Sequence, residues 1–324
     1  GPAKLGWNAA AKAWGPLTNV ASVALTIAAA TPPRFITTPN KLARKMFGED
    51  VVPLWSEDLP QGGAGRVGGG DRSRADAVYF QACVGTMFGP AEGGAGVAVA
   101  FESLAVKAGV ILFKPDGVEG LCCGTPWKSK GILEGYASMA QRTVDALWTA
   151  SDEGRLPVVC DNSSCSEGLV LALQMAIENN PERRRLRIVD AVDFAVGQLL
   201  PKLRIEPAVR NLVVHPTCSS TRAGSNLNLL ELASVVADQV SVPAEWNCCA
   251  FAGDRGMLHP ELTKSATARE SAEVGAGEYD SFASCNRTCE IGMTRATGRP
   301  YQHIIELVDR SATPIPVNVR PSSE

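Results

Sequence analysis

The sequence is poor in histidine, in aromatic residues and in excess charge of either sign. Its 324 residues include three histidines and 6% aromatic residues, and 31 Lys and Arg nearly balance 34 Asp and Glu, for a formal net charge of −3. A chain without a basic excess lacks the electrostatic signature of nucleic-acid binding. We therefore expect no nucleic acid among its partners.

Long hydrophobic runs are lacking as well. The longest apolar stretch, Val20–Ala30, is interrupted by Thr26 and is too short for a bilayer span, which needs about 20 residues. Gly1–Gly15 has no charged region followed by an apolar run, so it does not resemble a secretory signal. We expect a cytoplasmic protein, with the inner face of the membrane as the alternative location.

Cysteine, by contrast, is unusually frequent, with ten residues. Disulfides mainly stabilise small secreted domains that lack a core, whereas this chain is long enough for about two domains and is 45% hydrophobic. In a reducing compartment, thiols are more often metal ligands or catalysts than disulfides. The cysteines therefore predict one or more metal-binding or catalytic sites.

The first 75 residues differ from the rest. Residues 1–60 have apolar helical stretches, and residues 61–75 contain a glycine-rich tract that predicts a flexible linker. For the helical lead-in we favour packing on the body of the protein over docking on a neighbouring domain or a membrane surface.

From residue 76 onward, short β-rich runs alternate with helical segments. This alternation predicts an α/β fold with two pseudo-repeated, Rossmann-like parallel-sheet modules, in each of which crossover helices connect the strands. We place the first module at residues 76–205 and the second at 206–324. The predicted strands are 77–82, 110–113, 156–159, 212–215, 240–242 and 280–283, and the predicted helices include 94–109, 130–153, 228–239 and 261–274.

The cysteines mark the repeat. Each predicted module holds five of them, spaced C-x38-CC-x36-C-x4-C in the first and C-x29-CC-x35-C-x3-C in the second. Each group follows a predicted strand, and loops at the carboxyl ends of parallel strands converge at one edge of the sheet. Each set of five should therefore gather at one point.

Thiolates select iron–sulfur clusters, zinc or copper(I) over hard cations. Scattered cysteines are usually buried small hydrophobes, but two matching sets are not scattered. Zinc ligands usually come as two local pairs, whereas these are spread along the chain and include two vicinal Cys-Cys steps. We favour iron–sulfur over zinc.

Several segments resemble known families. The segments 120–124 (GLCCG) and 247–256 (NCCAFAGDRG) look like the cysteine-rich CCG modules found in heterodisulfide reductase and in the glycolate oxidase iron–sulfur subunit. More narrowly, 82–90 (ACVGTMFGP), 122–131 (CCGTPWKSKG) and 287–294 (RTCEIGMT) resemble the C-terminal region of FAD- and iron–sulfur-linked D-lactate dehydrogenases. The resemblance covers residues 76 to 311.

This resemblance implies an electron-transfer role. In that family an FAD domain oxidises a 2-hydroxy acid, and iron–sulfur centres relay the electrons. No flavin domain and no C-x2-C-x2-C ferredoxin run is visible here, so we expect either the C-terminal part of a larger enzyme or a separate subunit. FAD would then belong to a partner domain or subunit, and a quinone or cytochrome-type acceptor would follow, with peripheral membrane contact as an option.

The resemblance also implies that the cofactors are 4Fe-4S clusters and which cysteines bind them. The family's C-x2-C ending is replaced by wider spacings, and the retained cysteines look like the later ones of each set. We therefore assign Cys83, Cys122, Cys123 and Cys165 to one cluster and Cys218, Cys248, Cys249 and Cys289 to the other. Cys160 and Cys285 are second-rank candidates, either as fifth ligands or as buried thiols.

Three polar residues beside the cysteines are weak catalytic candidates: His215, Asp254 and Arg255. His215 or Arg255 would hydrogen-bond cluster sulfur or hold an anionic substrate; equally, His215 would stabilise a loop and Asp254 would contact Arg255. Lys128 and Lys130 predict a solvated face.

Two other functions stay open. One is a heterodisulfide reductase-like enzyme that cleaves a disulfide at a cluster. The other is a zinc-stabilised domain that docks a flavoprotein.

Overall fold

The computed structural model describes residues 2–315 and shows an α/β protein with two parallel sheets behind a helical lead-in, as predicted. The lead-in consists of α1 (Pro2–Ala10), α2 (Trp14–Ala30) and α3 (Arg34–Phe47). No single helix among the described residues is long and apolar enough to cross a bilayer; α1 and α2 together reach that length and composition, but they are bent by 100° at their junction. Residues 316–324 of the predicted second module lie outside the described residues.

The first sheet has the strand order β2-β1-β3-β4, with every pairing parallel. Helices connect its strands, as a parallel sheet requires. The elements in chain order are β1 (Ala77–Phe80), α4 (Val84–Met87), α5 (Val97–Lys107), β2 (Leu112–Phe113), α6 (Thr125–Lys128), α7 (Leu133–Ala150), β3 (Val158–Cys160), α8 (Ser163–Asn179), β4 (Ile188–Asp190) and α9 (Ala191–Phe194).

The second sheet repeats this plan. Its elements are β5 (Leu203–Ile205), β6 (Val209–Val214), α10 (Cys218–Ala223), α11 (Asn226–Val236), β7 (Ala237–Ser241), α12 (Arg255–Leu258), α13 (Pro260–Ala266), α14 (Ala268–Ala276), β8 (Ser281–Ser284), α15 (Arg287–Thr297), β9 (Tyr301–His303), α16 (Ile304–Ser311) and β10 (Ala312–Pro314). The sheet order is β7-β6-β8-β9, all parallel, and β10 pairs antiparallel with β5. The first strand of each four-stranded sheet is therefore central and the second is an edge strand.

Two predicted helices differ from the structure at their ends. The helix predicted to reach Gln239 ends at Val236, because the next five residues form β7 and pair with β6. The helix predicted over residues 261–274 is divided at Thr267 into α13 and α14. Helical apolar spacing alone did not locate either boundary. The first is set by the pairing of β7 with β6, which the spacing of apolar residues does not report.

The two sheets share a core. Alternate residues of β1 point to opposite faces: Val78 and Phe80 pack with the cysteine-bearing loops, and Tyr79 packs in a cluster that also holds Leu212 and Val214 of β6. That cluster continues through α5, α11 and α16. Each half therefore buries one face against the other half.

The helices that follow β3 and β8 exchange their N-terminal caps. Asn162 precedes α8, yet its side-chain oxygen accepts from the Arg287 backbone N–H of α15 at 2.8 Å. Asn286 precedes α15, and its side-chain oxygen accepts from the Ser164 backbone N–H of α8 at 3.3 Å. Buried N–H groups at a helix start need such acceptors. The two halves thus complete each other's helices by a reciprocal pair of side chains.

The lead-in packs on the first half. Trp7 and Trp14 contact the ring of the fully buried Trp127, with ring centroids 6.0 and 4.7 Å away. The Trp127 indole N–H also donates to the Trp7 carbonyl at 2.7 Å. The residue four positions after the vicinal cysteine pair of the first half therefore anchors the lead-in.

The glycine-rich tract lies against the protein rather than free in solvent. The Gly63 N–H donates to the Thr86 carbonyl at 2.9 Å, and the Gly89 N–H donates to the Gln61 carbonyl at 2.7 Å. A Cβ at Gly63 would lie 1.8 Å from the Gly85 carbonyl oxygen. The expectation of a flexible linker needs correction here, because glycine permits this close backbone approach.

We expect Gly63→Ala to lower the free energy of unfolding by about 2 kcal/mol, because the added methyl group displaces backbone. Gly65→Ala is the matched control, since its Cβ would meet only Asn19 Oδ1 at 3.5 Å, an ordinary contact. Urea unfolding of both variants measures the difference. Equal stability of the two would mean that the tract is not packed as described.

Candidate metal centres

The first cysteine site lies at the carboxyl ends of the first sheet's strands. Cys83 lies between β1 and α4, directly before the helix, Cys122 and Cys123 lie in the loop before α6, and Cys165 lies in the first turn of α8. All four side chains are buried. The structure therefore brings together the four residues predicted for one cluster.

Their sulfurs form two hydrogen-bonded pairs, and a further bond between Cys122 and Cys123 joins the pairs. Cys83 and Cys122 have Sγ atoms 3.6 Å apart, and Cys165 pairs with Cys123. The bond from Cys122 lowers the pKa of Cys83, and bonds from Cys122 and Cys165 lower the pKa of Cys123 well below its usual value. Burial raises the pKa of Cys122, and the bond to Cys123 raises that of Cys165. Because thiolates are the metal-ligating form, half of the site is already poised to bind.

A buried arginine braces this site. Arg66, from the glycine-rich tract, donates to the Gln81, Glu119 and Leu121 carbonyls, each at 2.9 Å. These carbonyls lie one to three residues before the cysteines of the loops that follow β1 and β2. The guanidinium charge also contributes to the lowered pKa of Cys83, after the bond from Cys122. Arg66 therefore fixes two loops and supplies positive charge beside their thiols.

The second cysteine site repeats this arrangement with more exposure. Cys249 and Cys289 are buried with their Sγ atoms 3.2 Å apart, whereas Cys218 is half-buried and its partner Cys248 is exposed. The bond from Cys218 lowers the pKa of Cys248 to about 6, and the bond from Cys289 lowers that of Cys249 to about 5. The four predicted ligands thus again form two pairs.

The loop after the second vicinal pair is strained. Ala250 and Ala252 have φ of 53° and 39°, in the left-handed region, and Gly253 has φ of 70°. Non-glycine residues in this region cost about 1–3 kcal/mol each and cluster at functional sites. This backbone turns the Ala250 N–H toward Cys248 Sγ, at 3.4 Å.

The two second-rank cysteines have different environments. Cys160 is buried in the same cluster as the first site and hydrogen-bonds Cys165. Cys285 belongs to the core between the sheets, with its Sγ 3.8 Å from Thr217 Oγ1, and burial raises its pKa to about 12. Cys160 therefore lies beside its site, and Cys285 is a buried thiol turned away from it.

The polar residues proposed as catalytic candidates also differ in where they lie. His215 is buried beside Cys249 and Cys289. Asp254 contacts Lys130 at 2.9 Å rather than Arg255, so the expectations of a local Asp–Arg contact and of a solvated Lys130 were wrong. This ion pair joins the loops of the two sites. Arg255 is exposed at the start of α12, and Lys128 is exposed as predicted.

Burial lowers the pKa of His215, but the adjacent Cys249 sulfur and the hydrogen bond to the Glu270 carboxylate outweigh it and raise the value to about 9. Positive charge at this ring is therefore favoured by the groups around it.

Sequence reasoning missed Arg66 and Glu270. Arg66 is the single charged residue within residues 61–70, and that isolation was a usable signal. Glu270 contacts His215 across 55 residues, and no local pattern distinguishes it from the other acidic residue of its helix.

We expect Arg66→Met to lower the free energy of unfolding by about 3 kcal/mol, because it leaves buried carbonyls without a donor. Arg142→Met is the matched control: Arg142 also donates to carbonyls, of Ala11 and Gly120, but its side chain is exposed. The control should change stability by less than about 1 kcal/mol. Denaturant unfolding measures both, and equal losses would contradict a special role for Arg66.

Two proteins of Escherichia coli (strain K12) are distantly similar to this chain. The glycolate oxidase iron-sulfur subunit is 24% identical over 204 residues, covering 60% of this chain and 49% of the relative. A subunit of the anaerobic glycerol-3-phosphate dehydrogenase is 24% identical over 198 residues, covering 58% and 48%. No protein-family profile matches the chain. The chain thus spans about half the length of the curated relatives it matches, and the predicted similarity to the glycolate oxidase subunit is confirmed.

Proposed function

We propose that this chain is the iron–sulfur electron-transfer part of an FAD-linked D-2-hydroxyacid dehydrogenase of the D-lactate type, passing electrons from flavin to an acceptor. The observation that carries the proposal is the pair of four-thiol sites at the carboxyl ends of two parallel sheets. The similarity to an iron-sulfur subunit supports the same chemistry.

The donor set fits iron–sulfur clusters. Each site offers four sulfurs in two hydrogen-bonded pairs, and in each pair one thiol has a lowered pKa. A bound cation would replace the shared protons, because metal ligation needs the thiolate. Cys83, Cys122, Cys123 and Cys165 would hold one 4Fe-4S cluster, and Cys218, Cys248, Cys249 and Cys289 the other. Such clusters supply one-electron carriers whose potentials respond to nearby charge and hydrogen bonds.

The spatial relation of the sites suits a relay. Buried cysteines of both sites, together with Phe251 and Ile291, belong to one continuous apolar cluster. Oxidation of a 2-hydroxy acid to a 2-oxo acid releases two electrons and two protons. The partner flavin would accept both and release the protons, and this chain would carry the electrons one at a time through a core that excludes water.

The lead-in offers a surface for partners. Its first 48 residues contain no Asp or Glu but six basic residues, and α2 exposes Leu17, Val20, Val23 and Ile27. We propose a flavin dehydrogenase domain or subunit as the electron donor and a quinone or cytochrome-type acceptor. The cytoplasm, with peripheral contact to the inner face of the membrane, is the proposed location.

A heterodisulfide reductase-like activity is the second candidate. Exposure of Cys248 and partial exposure of Cys218 support it, because a disulfide substrate must reach the metal. A zinc-stabilised docking domain is the third candidate, and metal analysis separates it from the other two.

We expect anaerobically purified protein to contain iron and acid-labile sulfide. Cys123→Ser and Cys249→Ser should each remove about half of the iron, because each disables one of two sites. Cys285→Ala is the control and should keep all of it, since this thiol faces away from the site. Zinc without sulfide would reject an iron–sulfur function.

We expect deletion of the gene in its own host to abolish growth on D-lactate and to leave growth on L-lactate unchanged. Complementation with Cys285→Ala should restore growth, and complementation with Cys123→Ser should not. Normal D-lactate oxidation in the deletion strain would reject this substrate while leaving the metal analysis to judge electron transfer.

A further inference from the structure

His215 occupies a special place in the second site. It follows β6 and lies three residues before Cys218, as Phe80 lies three residues before Cys83 in the first half. Both side chains are almost completely buried. At this one repeated position, therefore, the second site has an imidazole and the first has a hydrocarbon ring.

A buried carboxylate holds one nitrogen of this imidazole. His215 Nδ1 lies 2.7 Å from Glu270 Oε1, and both side chains are 1% exposed. Among residues 2–315, no Lys or Arg forms a salt bridge with Glu270. Burying a carboxylate with a single partner is costly, so the stability of the fold does not account for this pair.

The opposite nitrogen faces the sulfurs. His215 Nε2 is buried and has no hydrogen-bond partner within the described chain. The ligand atoms of His215, Cys249 and Cys289 all lie within 4.8 Å of one another. An unpartnered nitrogen beside two thiols, with the other ring nitrogen bound to a carboxylate, is the arrangement of histidines that ligate metals.

We propose that His215 is a nitrogen ligand of the second site, beside Cys249 and Cys289, and that Glu270 fixes its tautomer. The proposal rests on the proposed function only in taking the bound metal to be iron. Imidazole is a suitable ligand for iron as well as for zinc and copper.

This assignment makes the two sites unequal. His215 would be a fifth donor beside the four cysteines, where the first site has the thiol of Cys160. A neutral imidazole adds no negative charge, and a histidine nitrogen where the other site offers a cysteine sulfur raises the potential of an iron–sulfur centre. The second site should therefore have the higher reduction potential. Electrons would then pass from the sealed first site to the more exposed second site, one at a time.

Pulsed EPR of the reduced, anaerobically purified full chain tests the proposal. The spectrum should contain a strong nitrogen coupling that shifts when histidine is labelled with ¹⁵N. His215→Phe, which gives the second site the residue of the first, should abolish this nitrogen coupling. It should also lower the equilibrium constant for reduction of the second site at least tenfold, which corresponds to a fall of about 59 mV in a one-electron potential. His303→Gln is the matched control, because His303 is also buried at a strand end but caps α16.

Absence of a strong nitrogen coupling from the native protein, or its persistence in His215→Phe, would overturn the assignment. If His215→Phe does not fold, Glu270→Gln replaces it: the amide oxygen still accepts from Nδ1, and loss of the negative charge should change the coupling and raise the potential. An unchanged coupling and potential in that variant would also count against the proposal.

A separate measurement, the content of iron and acid-labile sulfide, decides whether the proposed function fails. If the chain holds zinc without sulfide, the form substituted with cobalt(II) still tests His215. A paramagnetically shifted, exchangeable Nδ1–H signal that His215→Phe removes would support the ligand assignment, and its absence from the native protein would refute it.

Discussion

The exchange of caps between Asn162 and Asn286 is the constraint on which both sites depend. Each side chain completes the first turn of the helix in the other half, and that first turn carries Cys165 in α8 and Cys289 in α15. The last ligand of each site is therefore positioned by a residue of the opposite repeat. The four thiols of each site come from one half, but since the sheets also share a core, neither half has a complete interior or a fully capped ligand helix of its own. The repeat is one folding unit with two centres.

The two centres follow the same plan but differ in their surroundings. The first is sealed, is braced by the cation of Arg66 and has Cys160 beside it. In the second, Cys285 is turned into the core between the sheets, and the fifth potential donor is His215. Protein-derived differences of this kind, in charge, hydrogen bonding and solvent access, are how one cluster type acquires different potentials. A repeat that began as two equal sites would gain a direction for electron flow in this way.

Much of this arrangement was predictable from the sequence. Alternating strands and helices indicated the parallel sheets, and the cysteine spacings indicated which thiols meet, because loops after parallel strands share one edge. The contacts that differentiate the sites were not predictable. Glu270 meets His215 across 55 residues and Asn162 meets Arg287 across 125, and no local pattern encodes either pairing. The glycine-rich tract was misjudged because composition reports conformational freedom but not whether another backbone lies close by.

The exposure of Cys248 has a consequence for how the protein ages in air. Its thiol has a lowered pKa and hydrogen-bonds the half-buried Cys218, and oxidation of cysteine follows thiolate character and access. Oxidants should therefore convert this pair to a disulfide while the sealed first site is still reduced. In the relay proposed above, damage would begin at the site that delivers the electrons, so an aerobically handled sample would lose its second centre before its first.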